Sequence, residues 1–150
     1  MSIEGQIDSD LKSAMLAGDK QTVQTLRVIK SALQNRAIET GQQSAGLGDD
    51  EVQKVLATEL KKRLEAAEVY KQANEVERAQ KELSEKTVIE AYLPKPLDEA
   101  ALTALVDKHI KELSASTLAD MGKVIGAVKQ EAGAAADGAT LARLVKEKLQ

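Results

Sequence analysis

The chain has 150 residues, enough for one domain with a sizeable core or for two small helical domains. It contains no cysteine, which excludes disulfides, thiolate nucleophiles and zinc sites built from cysteine. The net charge of −3 argues against a strongly basic nucleic-acid binder. The acidic excess lies within residues 48–93, which hold eleven acidic and eight basic residues, so the neutral flanking segments can still carry local basic faces.

The first ten residues carry no basic region followed by an apolar run, and we therefore predict no signal peptide. No apolar stretch approaches the roughly 20 residues that a membrane-spanning helix needs. We accordingly expect a cytoplasmic protein that makes no membrane contact.

Two helices are predicted in the first 40 residues. Apolar residues at every fourth position predict a helix over 2–17, with a buried stripe of Ile3, Ile7, Leu11 and Met15. Gly18 and Asp19 are typical of a helix stop followed by an N-cap. The second helix is predicted over 20–40, and its expected buried residues are Val23, Leu26, Ile29, Leu33 and Ala37.

A glycine-rich segment at 41–48 predicts a loop before the third helix. Asp49 or Asp50 is expected to cap this helix, which runs as far as Tyr70. Asn74 is expected to end it in the left-handed conformation that asparagine tolerates. The apolar stripe of the third helix is Val52, Val55, Leu56, Leu60, Leu64 and Ala67.

The strongest predicted domain boundary follows the fourth helix, which is predicted over 76–93. A residue before proline disfavours the helical conformation, so the segment Leu93-Pro94-Lys95-Pro96 should be extended and stiff. We therefore predict a four-helix N-terminal domain over 1–93 and a three-helix bundle over 94–150.

Each of the three C-terminal helices has a predicted cap. Asp98 is expected to cap the fifth helix, whose apolar stripe is Leu102, Leu105, Val106, Ile110 and Leu113. Ser116 or Thr117 caps the sixth, and Thr117 and Asp120 have the spacing of a capping box. Asp137 caps the seventh, with Leu141, Leu144, Val145 and Leu149 inside. No segment alternates with a period of two, so the predicted fold is all-α.

Two glycines, Gly122 and Gly126, lie four apart in the sixth helix beside Lys123. A glycine in a helix interior costs about 1 kcal/mol relative to alanine. Helical spacing continues through them, because the apolar residues are Leu118, Met121, Val124, Ile125 and Val128. One interpretation is close approach to an RNA sugar-phosphate edge, with Lys123 neutralising a phosphate. The other is tight packing of this helix against a neighbouring helix.

Several strings together resemble the GatB/YqeY family over nearly the whole chain. They are LRVIKSALQNRAIE at 26–39, KKR at 61–63, EAYLPKPL at 90–97, DMGKVIGAV at 120–128, and DG at 137–138 followed by LARLVKEKL. The order and spacing of these strings are those of the family. Two family arginines are replaced, one by Ala135 before the last helix and one by Glu75 after the third.

The resemblance implies a module like the helical tail of the B subunit of tRNA-dependent amidotransferases. That tail contacts tRNA and is not catalytic, and family members are associated by similarity with carbon–nitrogen ligase activity that uses glutamine as amido donor. We therefore expect a tRNA-binding accessory module, with amidotransferase or aminoacyl-tRNA synthetase components as partners and no DNA. The alternative is a non-enzymatic helical adaptor that binds other proteins.

The candidate nucleic-acid-binding residues are basic side chains and the two glycines. They are Arg27, Lys30, Lys61, Lys62, Arg63, Gly122, Lys123, Gly126, Lys129, Arg143 and Lys146. For the basic residues the alternative is an ordinary solvated helix face. Only Tyr70 and Tyr92 could stack on bases, so recognition of folded RNA by shape and backbone is expected rather than reading of single-stranded bases.

No catalytic residue, metal site or cofactor is predicted. His109 is the only histidine and lacks nearby metal-ligand spacing, so we expect an exposed helix residue rather than a catalytic base. No serine stands in a Gly-x-Ser-x-Gly turn, and the loop at 41–48 follows a helix and lacks the lysine of a phosphate-binding loop.

Overall fold

A computed structural model describes all 150 residues and confirms the all-α fold. The seven helices are α1 (Ile3–Ala17), α2 (Lys20–Glu39), α3 (Asp49–Gln72), α4 (Val76–Glu90), α5 (Glu99–Leu113), α6 (Met121–Ala132) and α7 (Gly138–Leu149). Short 3₁₀ turns at Leu118–Asp120 and Gly133–Ala135 flank α6. The chain divides into two compact units, Met1–Leu93 and Pro94–Gln150. None of the helices combines the length and apolar content that a membrane crossing needs.

The first unit is built from α1 to α4 around one aliphatic core. Its fully buried side chains come from all four helices and include Ile7, Leu26, Ile29, Leu56 and Ile89. The long helix α3 lies along α4, which is its main partner. With no phenylalanine or tryptophan available, branched aliphatic residues fill this core, and they lose little rotamer freedom there.

Local signals at the ends of α1 and α2 are confirmed. Gly18 ends α1 in the left-handed conformation, at φ +73°. The Asp19 carboxylate accepts a hydrogen bond from the Thr22 N–H at 3.1 Å and caps α2. At the far end of α3, Asn74 adopts φ +60° as predicted. Each of these signals acts over four residues or fewer.

Two residues predicted to be buried are instead exposed. Met15 is 53% exposed and Ala14 takes its place in the interior, while Leu64 on α3 is 43% exposed. The reason is geometric, because residues four apart advance about 400° around a helix and so drift by about 40° at each step. Three such steps, from Ile3 to Met15 or from Val52 to Leu64, rotate the side chain about 120° away from the core.

Two predicted helix ends also differ. Neither Asp49 nor Asp50 caps α3, since Gly48 occupies the N-cap position without a side-chain bond. Asp49 instead accepts a hydrogen bond from the Ile3 N–H at 3.0 Å, which satisfies a free donor at the start of α1. Helix α4 ends at Glu90 rather than at residue 93, because the residues before Pro94 leave the α-helical bonding pattern for tighter turns.

The second unit is a bundle of α5, α6 and α7. Its core consists of fully buried side chains from all three helices: Leu102, Val106, Val124, Val128, Leu141 and Val145. The inner face predicted for α7 is confirmed in full. The segment that follows the prolines is fixed by a hydrogen bond from the Leu97 N–H to the Ala135 carbonyl, at 2.8 Å.

The predicted caps of this unit are confirmed. Asp98 accepts a bond from the Ala101 N–H at 2.7 Å and Asp137 one from the Thr140 N–H at 2.9 Å. The Thr117 capping box is formed, although it opens a 3₁₀ turn that leads into α6. Leu113 was expected inside and is exposed, because periodicity marks the inward direction of a helix but not where its neighbours end.

Candidate nucleic-acid interface

The two glycines of α6 lie on the solvent side of the bundle. Both have ordinary helical backbones, and a Cβ atom added to Gly122 or Gly126 would meet no atom within 4 Å. On the opposite side of the same helix, Val124 and Val128 are completely buried. Tight packing against another helix therefore does not account for the glycines within this chain. They leave a stretch of helix backbone bare.

Two lysines border this bare backbone. At about 100° per residue, Gly122, Gly126 and Lys129 fall within an arc of about 60°, and Lys123 lies about 60° beyond Gly126. We call these four residues the glycine strip. Both lysines are exposed, and neither has a carboxylate within 4.0 Å. The strip is thus an accessible backbone with a free cation at each edge.

The nearest anion in sequence, Asp120, is already engaged. Its carboxylate accepts hydrogen bonds from the Ser116 and Thr117 N–H groups at 3.0 and 3.3 Å. These bonds lower the pKa of Asp120, so it stays ionised at the start of α6. Its charge partly offsets that of Lys123 without forming an ion pair with it.

The two candidates on α7 differ in availability. Lys146 is exposed and has no carboxylate within 4.0 Å. The Arg143 guanidinium instead bridges Glu99 at 2.9 Å and Glu147 at 3.2 Å, and these contacts raise its pKa. The two carboxylates already offset the charge of this guanidinium, which weakens its attraction for a phosphate. We therefore keep Lys146 and leave Arg143 out of the interface.

Most basic candidates of the first unit are neutralised by neighbours. Lys30 pairs with a carboxylate of α1, and Lys61 and Lys62 pair with glutamates one turn away on α3, at N–O distances of 2.6, 3.9 and 3.0 Å. Arg27 differs from them, since it is exposed and has no carboxylate within 4.0 Å. Three of these four cations are therefore already paired with carboxylates.

Arg63 is largely buried between α3 and α4, among glutamates. Its side chain is only 16% exposed and lies among Glu59 of its own helix and Glu82 and Glu85 of α4. The closest approach is 3.0 Å, from the Arg63 Nε to a Glu85 oxygen, without hydrogen-bond geometry. Burial, and secondarily the charge of Glu85, raise the pKa of Glu82. Arg63 therefore holds α3 to α4 and is not displayed to a ligand.

His109 is not the exposed residue that the sequence predicted. Its side chain is 12% exposed, and its Nε2 atom lies 2.5 Å from a carboxylate oxygen of Glu131 on α6. Lys108 reaches the other oxygen of Glu131 at 2.9 Å. The prediction was wrong because the partner lies 22 positions away, and no spacing rule within one helix connects them. The contact ties α5 to α6.

Residues 4–149 match the family model described as Yqey-like protein. The chain belongs to this family. The predicted resemblance to the GatB/YqeY family is thereby confirmed. The protein is also similar to altered inheritance of mitochondria protein 41, mitochondrial, from Clavispora lusitaniae, at 31% identity over 103 residues. That match covers 69% of this chain and 55% of the relative, so the chain spans about half of the relative's length.

The two positions at which the resemblance led us to expect arginine, Ala135 and Glu75, lie at helix ends. Ala135 lies in the 3₁₀ turn after α6, where its carbonyl accepts the Leu97 N–H bond described above. Glu75 is the N-cap residue of α4 but makes no side-chain cap bond there. Neither residue supplies the positive charge that the resemblance led us to expect there.

Proposed function

We propose that this protein is a tRNA-binding accessory module, in which the glycine strip and Lys146 contact the sugar-phosphate backbone and no catalysis takes place. The observation that carries the proposal is the open space above Gly122 and Gly126. Glycine destabilises a helix, and nothing inside the molecule requires it at these two positions. A ligand backbone that lies close to the helix would require it.

Charge and composition agree with contacts to RNA backbone rather than to bases. The second unit contains no Phe, Tyr or Trp, and its one histidine, His109, is largely buried against Glu131, so the unit offers no exposed ring on which an unpaired base could stack. Three cations without ion-pair partners, Lys123, Lys129 and Lys146, belong to this same unit. Phosphate contacts set affinity and orientation without reading sequence. The choice of tRNA as the folded RNA follows from the family resemblance.

The proposal has a measurable salt dependence. If three lysines each neutralise one phosphate, the logarithm of the association constant should fall with a slope of about −2 to −2.7 against the logarithm of salt concentration. Raising the salt from about 50 to about 200 mM should then weaken binding roughly 20- to 40-fold. A titration of fluorescently labelled, unmodified tRNA by anisotropy measures this directly. Absence of binding, or binding that is insensitive to salt, would contradict the proposal.

A Lys123→Glu variant tests where the RNA binds. We expect about tenfold weaker binding at low salt and a salt slope smaller by about one unit. Lys111→Glu is the matched control, because Lys111 is also an exposed lysine of the second unit without a carboxylate within 4.0 Å, and it lies outside the glycine strip. Circular dichroism checks that both variants keep their helices. Equal loss in the two variants would mean that only net charge matters.

We also propose that the module acts beside an amidotransferase or an aminoacyl-tRNA synthetase, and that any carbon–nitrogen ligase activity belongs to those partners. The support is the family resemblance, together with the lack of any motif for ammonia release or phosphate activation in this sequence. Co-purification of the full chain with an amidase-type subunit, retained after nuclease treatment, tests the association. Glutaminase activity of the isolated chain would contradict the division of labour.

A further inference from the structure

An open groove runs across the first unit between the end of α1 and the outer face of α2. Its volume is about 740 Å³. The apolar part of its lining is formed by Ala14 and Met15 of α1 and by Val23 and Val28 of α2. Met15 and Val28 are 53% and 44% exposed, although both are large apolar residues. No other helix of the first unit lines the groove.

The shape of the groove matches a short helix. Along α2 the lining residues recur at helical spacing from Lys20 to Ser31, which makes a strip of three turns. At 1.5 Å per residue, these eleven steps span about 16 Å. An amphipathic helix of three turns places apolar side chains at i, i+3 or i+4, and i+7 over the same length. Methionine at the rim can adapt to different side chains.

The charge along the groove has one sign. Lys20 and Arg27 both line it, and no acidic residue does. The two cations lie seven positions apart on α2, about 10 Å along the helix axis. Neither has a carboxylate within 4.0 Å, whereas eight other lysines and arginines of this unit do. Two cations are therefore left without partners at the edge of an apolar surface.

We propose that this groove binds an amphipathic helix of a partner protein that carries two acidic residues two turns apart beside its apolar face. The carboxylates pair with Lys20 and Arg27 while the apolar side chains cover Met15 and Val28. An RNA backbone would satisfy the cations but would leave the apolar side chains uncovered. The protein helix satisfies both features. The inference is separate from the tRNA proposal, which rests on residues of the second unit.

Designed peptides of defined sequence test the proposal. The first probe is a fluorescein-labelled peptide of about four turns, stapled on its outer face so that the helix is preformed, with leucines at i, i+4 and i+7 and two glutamates seven apart. The second probe has the same sequence in reverse order and covers the opposite orientation. At least one should bind the full chain with a Kd below about 100 μM. Failure of both would overturn the proposal.

A charge exchange tests which residues make the contact. The double variant Lys20→Glu/Arg27→Glu should bind the acidic peptide at least about tenfold more weakly. It should bind a peptide with lysines in place of the glutamates as well as the unchanged protein binds the acidic one. Lys71→Glu/Lys81→Glu is the matched control, because both lysines are exposed in the same unit, have no carboxylate within 4.0 Å and lie outside the groove.

The remaining outcomes are also decisive. Equal weakening by the control variant, or no recovery with the lysine peptide, would show that contacts in the groove are not responsible. Val28→Ser removes apolar contact at an exposed position. It should weaken binding of the peptide about threefold or more without changing the helicity of the protein. If the double variant loses tRNA affinity and neither peptide binds, RNA is the occupant and the proposal is wrong. Unchanged tRNA affinity with weakened peptide binding supports it.

Discussion

Replacing the glycines of α6 by alanine should make the protein more stable and should weaken its binding to tRNA, the proposed ligand. Gly126 lies in the interior of α6, has a helical backbone and has no neighbour within 4 Å of an added Cβ. An alanine methyl group at this position meets neither a clash nor backbone strain. The change therefore isolates the intrinsic preference of alanine for the helical conformation.

The expected gain follows from helix propensity alone. Gly126→Ala should raise the free energy of unfolding by about 0.5–1 kcal/mol. Gly122 is the second residue of α6, where the helix preference counts for less, and we expect up to about 0.5 kcal/mol there. The double variant should gain about 0.5–1.5 kcal/mol, the sum of the two, because the two methyl groups contact nothing else.

Urea unfolding followed by far-UV circular dichroism measures the gain, since the chain has no tryptophan to report by fluorescence. The same samples are titrated with labelled tRNA, and we expect Gly126→Ala to bind at least about threefold more weakly, because the methyl group separates the helix from the RNA backbone. Gln34→Ala is the control, since it places alanine at an exposed interior position of α2, away from the glycine strip, and should leave binding unchanged.

Two results would refute this reasoning in different ways. A loss of stability in Gly126→Ala would mean that the helix needs glycine for its own packing, which contradicts the open space above it. A gain in stability with unchanged tRNA affinity would mean that the bare backbone is not where the RNA lies. Only greater stability together with weaker binding supports both the structure and the proposed function.

Three further predictions concern the stability of the fold. Tyr92→Phe removes the hydroxyl that donates to the Asp10 carboxylate at 2.5 Å, and it should cost about 1.5–3 kcal/mol in urea unfolding. Hydrogen bonds lower the pKa of Asp137, so its contribution is complete above its unfolded pKa near 3.9 and is lost as the pH falls through its folded pKa. Stability should therefore decline below about pH 4, and Asp137→Asn should flatten that decline while retaining the cap. Arg63→Met leaves three glutamates without their shared cation and should cost about 2–3 kcal/mol, part of which a second change, Glu82→Gln, should restore. If Arg63→Met is neutral in urea unfolding, the ion pairs do not hold α3 to α4.

Much of the fold could be predicted because its signals are local. The Asp19, Asp98 and Asp137 caps and the left-handed Gly18 each depend on hydrogen bonds or backbone angles within four or five residues. A one-dimensional pattern contains all the information that such contacts need. The same holds for the inner face of α7, because Leu141 and Leu149 are only two steps of four residues apart and the drift between them is about 80° rather than 120°.

The interface was predictable only as a set of candidates. From the sequence, Arg63, Arg143 and Lys123 were equal candidates, because all three are basic residues on predicted helices. Carboxylates that are distant in sequence separate them, since Glu82 and Glu85 lie beside Arg63, Glu99 lies beside Arg143, and none lies within 4.0 Å of Lys123. Whether a basic side chain is free to bind a phosphate therefore depends on which carboxylates the folded chain places beside it.

The all-α class, the family and most helix ends were decided by the order of residues along the chain, because periodicity and capping act between near neighbours. Tertiary structure decided which way the glycines of α6 face, which cations keep a free charge, and that His109 meets Glu131. These properties depend on side chains that packing brings together across tens of residues. Gly126 illustrates the difference, since its sequence neighbours placed it in a helix and only the bundle turned its bare backbone outward.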